Sequence, residues 1–133
     1  MTLEVVRTGQ HRFTGRNGRG AEVPIGRREQ DGTFSPAELL QIAAAGCAIV
    51  TGESLIARRL GQDTAMRAEV SAEQRPGAHE LDAVDVRFDL DLSTVDEAAR
   101  AELAEVVERA IERLCTVSRT LRSGVPVRDT VVP

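Results

Sequence analysis

The feature that most constrains the fold is a long apolar segment in the first half of the chain, from residue 36 to about residue 60. Ser35, Pro36 and Glu38 at its start form the pattern of a helix N-terminus: an N-cap, a proline in the first turn and an acid at the positive end of the helix dipole. Two arginines before Gly61 are typical of a helix C-terminus. Because the first half of the segment is apolar on every side, the sequence predicts a long, central and buried helix.

Shorter segments on both sides of this helix alternate between apolar and polar residues, as strands do. A first strand is predicted over residues 3–14, followed by an Asn-Gly turn at residues 16–18 and a second strand over residues 20–26. Residues 65–75 and 80–92 alternate well, which predicts a half-buried antiparallel hairpin around a Pro-Gly pair.

The C-terminal third of the chain has the pattern of two helices and a strand. Thr94 followed three residues later by Glu97 matches a capping box, and the apolar residues behind it recur at helical spacing. A short helix after Cys115 is predicted to stop at Ser123-Gly124, and residues 125–132 are predicted to form a final strand. The predicted order is β-β-α-β-β-α-(α)-β, which is an α+β domain.

The composition argues against several classes of function. The net charge is −4 and the aromatic residues are three Phe with no Trp or Tyr, so no nucleic-acid partner is expected, because such binding uses a basic face with aromatic side chains. All 17 basic residues are arginine, which excludes Schiff-base chemistry on lysine. Neither His11 nor His79 has a second ligand at suitable spacing, so no zinc site and no histidine relay is predicted.

Length and the N-terminal sequence set expectations for domain number and location. A chain of 133 residues has the size of one ordinary domain, and a single domain over residues 1–133 is predicted. The first residues lack a basic-then-apolar signal segment, and no continuous apolar run reaches the roughly 18 residues of a membrane span. A cytoplasmic protein with no membrane partner is therefore expected. Two cysteines in such a protein favour redox chemistry or core packing over a permanent disulfide.

The two cysteines lie in unlike settings. Cys47 is in the apolar segment, where a thiol is most often an inert core residue and where reactivity requires a nearby cation to hold the thiolate. Arg16, on the predicted turn, is a candidate for that cation, although a turn arginine is commonly just solvated. Cys115 lies where one predicted helix ends and the next begins, so a helix N-terminus would stabilise its thiolate. A nucleophile paired with a resolving thiol is one interpretation of this arrangement.

Two motifs resemble those of the family of osmotically inducible protein C and organic hydroperoxide resistance protein. The first is similar to the Pro-x-Glu-Leu-Leu…Ala-Cys of the family's central helix and runs Ser35-Pro36-Ala37-Glu38-Leu39-Leu40 to Ala45-Gly46-Cys47. The second is similar to the family's Cys-Pro-Val-Ser…Leu…Gly-Val and runs Cys115-Thr116-Val117-Ser118…Leu121…Gly124-Val125-Pro126-Val127. The order of elements between them fits as well, so the resemblance extends from about residue 10 to the end.

The resemblance implies an α+β fold with a long buried central helix, in an intertwined homodimer whose central helices lie side by side. It implies a thiol peroxidase for organic hydroperoxides, in which Cys47 attacks the peroxide and becomes a sulfenic acid. Cys115 then resolves this acid as an intramolecular disulfide, which an external dithiol reductant reopens. In the organic-hydroperoxide branch that reductant is lipoyl-type, and no metal, haem or flavin cofactor is implied.

The resemblance also assigns two residues that act on the thiols. Arg16, in a Gly-Arg-Asn-Gly turn, matches the family's activating arginine, and Arg19 is a second choice. In the organic-hydroperoxide branch an acid directly follows the proline and pairs with this arginine, but Ala37 occupies that place here. Glu38, one residue further on, is the candidate for the acid, and it serves as readily as a first-turn dipole residue.

Departures from the family pattern keep other functions open. Besides the alanine in place of the acid, Thr116 stands where the family has a proline after the second cysteine. The alternatives are a non-catalytic small-ligand binder, a thiol redox sensor whose cysteines react slowly, and a purely structural dimer in which Cys47 is a core residue.

Overall fold

Two small antiparallel sheets and three helices make up the part of the chain that the computed structural model describes, residues 2–132. This confirms the predicted α+β class. The elements in chain order are β1 (Glu4–Gly9), β2 (Arg12–Arg16), β3 (Glu22–Gly26), α1 (Pro36–Leu60), β4 (Met66–Glu73), β5 (Ala83–Leu90), α2 (Glu97–Leu114) and α3 (Thr116–Ser123). The chain divides into two compact units, Met1–Ile42 and Ala43–Pro133, so a single domain over the whole chain stays a prediction.

The first unit is built on a sheet with β2 between β1 and β3. The single strand predicted over residues 3–14 is wrong, because the chain reverses at Gln10–His11 and forms the β1–β2 hairpin. His11 adopts a left-handed backbone with φ 58°, a conformation that glycine or asparagine usually supplies in a turn. Since neither stands at that position, the alternating pattern runs through the turn without an interruption.

The predicted Asn-Gly turn is confirmed, and it leads into β3 as expected. The side-chain oxygen of Asn17 accepts hydrogen bonds from the amides of Arg19 at 2.8 Å and Ala21 at 3.1 Å. Gly18 follows with φ 72°, in the left-handed region that favours glycine. Asn17 therefore closes the turn that joins β2 to β3, immediately after Arg16.

Helix α1 begins and ends where the sequence predicts. It starts at Pro36, ends at Leu60, and is followed by Gly61 with φ 114°. Its buried side forms one stripe, made of Ala44, Ala45, Ala48, Gly52, Ile56 and Ala57. Apolar residues outside that stripe stay exposed, by 41% for Leu40, 44% for Ile42 and 73% for Val50. One chain therefore covers one side of a helix that is apolar on several.

By length and composition alone, α1 is the one helix in residues 2–132 that is able to cross a membrane. The mean hydropathy of α1 is high, although polar residues interrupt its apolar sequence. Only 28% of its apolar window is buried within the chain. Core helices of globular proteins have the same length and composition.

The second unit packs helices against a two-stranded sheet. The β4–β5 hairpin is confirmed, with Val70 opposite Val86 in its register. Its core consists of Ile56, Leu103 and Val107, surrounded by Leu55, Leu60, Met66, Phe88, Leu90, Leu92 and Ile111. A Cβ atom added at Gly52 would lie 3.1 Å from Cγ1 of Val107, so α1 and α2 approach closely at that glycine.

The start of α2 differs from the predicted capping box. The N-cap is Asp96, whose side chain accepts a hydrogen bond from the Ala99 amide at 2.8 Å, and the helix begins at Glu97. Thr94 lies before the cap, in a turn closed by the bond from the Val95 amide to the Leu92 carbonyl. Aspartate and threonine are both good N-caps, so the sequence offered two starts, and the structure uses the later one.

The predicted final strand over residues 125–132 is wrong for the chain as described, since this segment forms no strand with any part of residues 2–132. Val131 is 93% exposed. A strand needs a partner edge for its backbone groups, and the alternating pattern alone does not supply one. The observed order is therefore β-β-β-α-β-β-α-α.

Candidate functional site

The structure brings Cys47 and Cys115 together within the second unit. Cys47 lies on α1, near enough to Cys115 for its side chain to lower the pKa of the Cys115 thiol. Both thiols are free, with no disulfide between them. Cys115 is fully buried, with 0% of its surface exposed, whereas Cys47 is half-buried. Cys47 is thus the member of the pair that a molecule in solvent can reach.

A break between two helices fixes the position of Cys115. Its backbone is extended, with φ −73° and ψ 105°, and this ends α2. Its amide nevertheless donates to the Ile111 carbonyl at 2.9 Å, and its own carbonyl accepts from the Arg119 amide at 3.0 Å. The same residue is therefore the C-cap of α2 and the N-cap of α3, and its sulfur lies at the N-terminus of α3.

Ser118 is the last residue of the Cys-x-x-Ser motif that begins at Cys115, and the structure places its side chain against that cysteine. The Cys115 thiol hydrogen-bonds to the Ser118 hydroxyl, with 3.2 Å between Sγ and Oγ. The contact is local, because residue 115 and residue 118 are one turn apart at the start of α3. Ser118 was not among the predicted site residues, although its Cys-x-x-Ser spacing resembles half of a redox motif.

The surroundings of Cys115 act on its pKa in opposite directions. Burial, the largest single influence, raises the pKa, because a charged thiolate is costly away from water. Hydrogen bonds to the sulfur from the Ser118 side chain, from Cys47 and from the amides of Ser118 and Val117 lower it, and together they prevail. The pKa of Cys115 is therefore lower than that of an ordinary thiol.

Arg16 lies at the end of β2 and is held by two carboxylates of its own sheet. Its Nε donates to Glu22 Oε2 at 2.9 Å, and its Nη1 lies 3.7 Å from Glu4 Oε1. The side chain remains 43% exposed. Beside it is an open depression of about 450 Å³, whose apolar lining includes Val5, Val23 and Ile25. Arg16 is a guanidinium oriented by carboxylates, next to an apolar surface.

Glu38 forms a capping box with Ser35 at the start of α1. The Glu38 amide donates to Ser35 Oγ at 3.1 Å, and the Ser35 amide donates to Glu38 Oε1 at 2.8 Å. The hydrogen bond from the Ser35 backbone, followed by that from its side chain, lowers the pKa of Glu38, and the charge of Arg28 adds to this. The carboxylate thus has a structural task at the helix start.

The four residues predicted for the site fall into two groups. Cys47 and Cys115 lie together in the second unit, with Ser118 beside them. Arg16 and Glu38 both belong to the first unit, where each has the partners described above. Their part in the chemistry of the thiols stays a prediction.

A groove of about 580 Å³ in the second unit is lined by neighbours of the two cysteines, although neither cysteine is among its lining residues. Ala48, which follows Cys47 in the chain, and Ser118 both line it. Most of its other wall residues are apolar, from β5 and α2, and include Val86, Phe88 and Val107. In residues 2–132 there is no group of three or more His, Cys, Asp or Glu side chains that could hold a metal ion. The residues around the thiols therefore offer sulfur chemistry beside an apolar surface.

Comparison with known sequences identifies relatives over nearly the whole chain. A sequence model of OsmC-like proteins matches residues 29–128. An uncharacterized protein from Mycobacterium tuberculosis (strain ATCC 25618 / H37Rv) is 41% identical over 130 residues, which cover 98% of this chain and 95% of that protein. An uncharacterized protein from Mycobacterium bovis has the same identity and coverage.

Solved structures share the fold at lower identity. The OsmC-like protein from Mycoplasma pneumoniae matches with a TM-score of 0.63 and 16% identity, covering 92% of this chain and 87% of that one. A candidate redox protein from Lactobacillus casei matches with a TM-score of 0.59 and 19% identity, covering 92% of this chain and 83% of that one. At these identities the likeness shows the fold alone.

The capping role of Glu38 predicts that Glu38→Gln removes an acid-sensitive part of the stability of α1. Because hydrogen bonds lower the pKa of Glu38 in the folded state, its carboxylate stabilises the fold fully at pH values above the ordinary glutamate pKa of about 4.3. This stabilisation is lost as the pH falls through the lower pKa of the folded state. Denaturant unfolding followed by far-UV circular dichroism, between about pH 3 and pH 6, measures the difference.

The matched control is Glu53→Gln, because Glu53 is exposed in the middle of the same helix, away from its N-terminus. This control should keep the acid dependence of the wild type, whereas Glu38→Gln should flatten it. Equal acid dependence in the wild type and in Glu38→Gln would contradict a stabilising role for the carboxylate.

Proposed function

Because this chain belongs to the family of OsmC-like proteins, we propose that it is a thiol-dependent peroxidase that reduces organic hydroperoxides through Cys47 and Cys115. The observation that carries the proposal is a pair of free thiols in the same unit, one half-buried and one fully buried, with Cys47 near enough to lower the pKa of Cys115. The half-buried Cys47 can react with a peroxide from solvent. The buried Cys115 can then react with the oxidised Cys47.

The reaction assigned to the pair balances without a cofactor. The Cys47 thiolate attacks one peroxide oxygen, the O–O bond breaks, the alkoxide leaves and takes up a proton as the alcohol, and Cys47 becomes a sulfenic acid. The Cys115 sulfur then attacks the Cys47 sulfur, and the S–O bond breaks with loss of water. Two thiols and one hydroperoxide thus give one disulfide, one alcohol and one water. An external dithiol, of lipoyl type, reduces the disulfide by thiol–disulfide exchange.

Arg16 is the proposed cation of this site. A guanidinium is permanently charged and has five N–H donors in a planar fork, so the two carboxylates that hold Arg16 leave donors available. Such donors stabilise a thiolate and the charge that develops on the peroxide oxygens. Glu22 and Glu4 orient the group, and they supply the carboxylate pairing for which the expected position after the proline, Ala37, has no acid.

The surfaces near the candidate residues favour an apolar substrate. The groove near the thiols has walls formed mainly by aliphatic residues and Phe88, and the depression beside Arg16 has an apolar lining. At such surfaces the carbon chain of an organic hydroperoxide is removed from water, which favours binding. Hydrogen peroxide has no apolar part to bury. An organic hydroperoxide is therefore the proposed substrate class.

We further propose that the protein is a homodimer in which a second copy covers the exposed side of α1. Val50 is 73% exposed, and Leu40 and Ile42 are exposed on the same helix. Fully burying one apolar side chain contributes roughly 1.5–3 kcal/mol to the free energy of association, so covering this side of α1 would stabilise a dimer. A second α1 has the same surplus of apolar surface, and two copies can cover one another.

Purified protein is expected to consume cumene hydroperoxide over many turnovers when dihydrolipoamide is supplied, and Cys47→Ser is expected to abolish this. Removing the sulfur that attacks the peroxide removes the reaction, whereas Cys115→Ser should permit oxidation of Cys47 without disulfide formation. Peroxide consumption is measured colorimetrically, and mass spectrometry identifies the sulfenic acid and the disulfide.

The same assay separates the alternatives. One equivalent of peroxide consumed with no further turnover would favour a thiol redox sensor. That outcome would fit the alanine in place of the family's acid. An absence of thiol oxidation by peroxide would exclude both redox functions and favour a small-ligand binder.

Arg16→Ala is expected to lower kcat/KM for cumene hydroperoxide by roughly ten- to a hundredfold, because a hydrogen bond to a charged group contributes about 1.5–3 kcal/mol. The matched control is Arg12→Ala, which removes another exposed arginine from the same strand. Arg12→Ala should retain the wild-type rate. Equal rates in both variants would mean that the activating cation is a different arginine, with Arg19 as the next to test.

Val50→Arg is expected to weaken self-association at least tenfold, because a charge in the proposed contact must be desolvated without a partner. Light scattering coupled to size-exclusion chromatography, over a dilution series, measures the molar mass. The matched control, Ala101→Arg, adds the same charge to an exposed position on α2. A wild-type protein that is monomeric at every concentration would overturn the dimer, as would equal association of both variants.

A further inference from the structure

The hydroxyl of Ser118 connects a buried thiol to an open groove. Its oxygen accepts a hydrogen bond from the Cys115 thiol, with 3.2 Å between Sγ and Oγ. Cys115 has 0% of its surface exposed and is not among the residues that line the groove of about 580 Å³ in the second unit. Ser118 is half-buried and does line that groove. Ser118 is therefore in contact with both the sulfur and the groove.

The groove has a side on which water can take up a proton. Exposed charged side chains from three elements line it, namely Arg87 and Asp89 on β5, Arg100 and Glu108 on α2, and Arg122 on α3. Because charged groups retain their water, this side of the groove is hydrated although most of its wall is apolar. Water in the groove can therefore accept a proton from the hydroxyl of Ser118.

The reaction proposed for Cys115 requires this buried residue to lose a proton. A thiol is a poor nucleophile, and the thiolate is the form that attacks sulfur. The attack on the sulfenic sulfur of Cys47 is in line with the S–O bond that breaks, so the oxygen departs on the side opposite Cys115. The Cys115 hydrogen cannot pass directly to that oxygen. The proton therefore needs a separate path that begins at the Cys115 sulfur.

A serine hydroxyl can supply such a path because it both accepts and donates a hydrogen. Among the side-chain contacts within residues 2–132, the bond from Cys115 is the one given to the Ser118 hydroxyl, and it uses the oxygen as acceptor. The hydroxyl hydrogen is left for an acceptor in the groove. The charged residues nearest to Cys115 along the chain, Arg113 and Arg119, cannot accept a proton, since a guanidinium is always protonated.

We propose that Ser118 is the proton relay of the buried resolving thiol. As Cys115 attacks the sulfenic sulfur of Cys47, its hydrogen passes to Ser118 Oγ, and the hydroxyl gives its own hydrogen to water in the groove. The S–S bond forms, the S–O bond breaks, and the departing hydroxide takes up a proton. One thiol and one sulfenic acid thus give one disulfide and one water. The proposal deepens the peroxidase function and rests on it for the sulfenic acid.

The relay is tested by measuring closure of the disulfide separately from oxidation of Cys47. Reduced protein is mixed with one equivalent of cumene hydroperoxide, and sulfenic acid, trapped with dimedone, and disulfide are quantified over time by mass spectrometry. Ser118→Ala is expected to form the sulfenic acid at the wild-type rate and to close the disulfide roughly ten- to a hundredfold more slowly. A positioned proton-transfer group contributes about 10²–10⁴-fold, and water in the vacated space replaces part of this.

Two variants control for the substitution itself. Ser118→Thr keeps a hydroxyl at the same position and should restore most of the closure rate. Ser123→Ala removes another hydroxyl from α3, one that bonds to the Thr120 carbonyl, and should close the disulfide at the wild-type rate. Equal closure rates in the wild type and in Ser118→Ala would overturn the relay.

A pH series separates proton transfer from a displaced sulfur. At about pH 10, above the ordinary thiol pKa of about 8.5, Cys115 is able to ionise before the attack, so the defect of Ser118→Ala should shrink. A sulfur that is merely displaced would close the disulfide more slowly by the same factor at every pH. A constant factor would therefore overturn the relay.

The same closure is measured without a peroxide by using diamide as the oxidant. The Cys47 sulfur adds to the N=N bond of diamide, and Cys115 then attacks that sulfur and breaks the S–N bond, which gives the disulfide and a hydrazine. Ser118→Ala should again close more slowly than the wild type and Ser118→Thr. This result in a protein that consumes no peroxide would overturn only the peroxidase function. The absence of an intramolecular disulfide with both oxidants would overturn the relay.

Discussion

The rest of the structure depends on a helix whose apolar surface exceeds what one chain can cover. A single stripe of α1 packs into the chain, and its lower part supplies Ile56 to the core formed with α2 and β5. The close approach at Gly52 allows α2 to lie near α1, and the end of α2 places Cys115 beside Cys47. The same helix therefore fixes the second unit, carries the accessible thiol and presents the surface proposed for a second copy.

The contrast between the two thiols follows from their positions in the backbone. Cys47 lies inside a continuous helix, where all neighbouring amides are already bonded along the helix. Cys115 lies at a break, where the first amides of α3 have no partner within their own helix. A sulfur at such a break receives dipoles that a sulfur in mid-helix cannot. Burial opposes the charge at Cys115, but the local donors outweigh burial.

Local signals predicted the parts of the fold that depend on local chemistry. Ser35, Pro36 and Gly61 gave the bounds of α1, because a cap, a proline and a left-handed glycine each act within one turn. The β1–β2 turn was missed since His11 adopts φ 58° where glycine is usual. The C-terminal strand was predicted wrongly because a strand depends on a distant edge that no local pattern reveals. The thiol pair came from motifs, but Ser118 as a partner required the structure.

The groups that act on Cys115 and the proposed cation Arg16 differ in how strongly salt screens them. Cys115 is fully buried, and the hydroxyl, the two amides and the thiol that lower its pKa are neutral, so salt screens their effect little. Arg16 is 43% exposed and paired with surface carboxylates, so its field weakens as the ionic strength increases. If Arg16 acts on the thiols as proposed, its contribution weakens with increasing salt, whereas the effect of the neutral groups around Cys115 changes little.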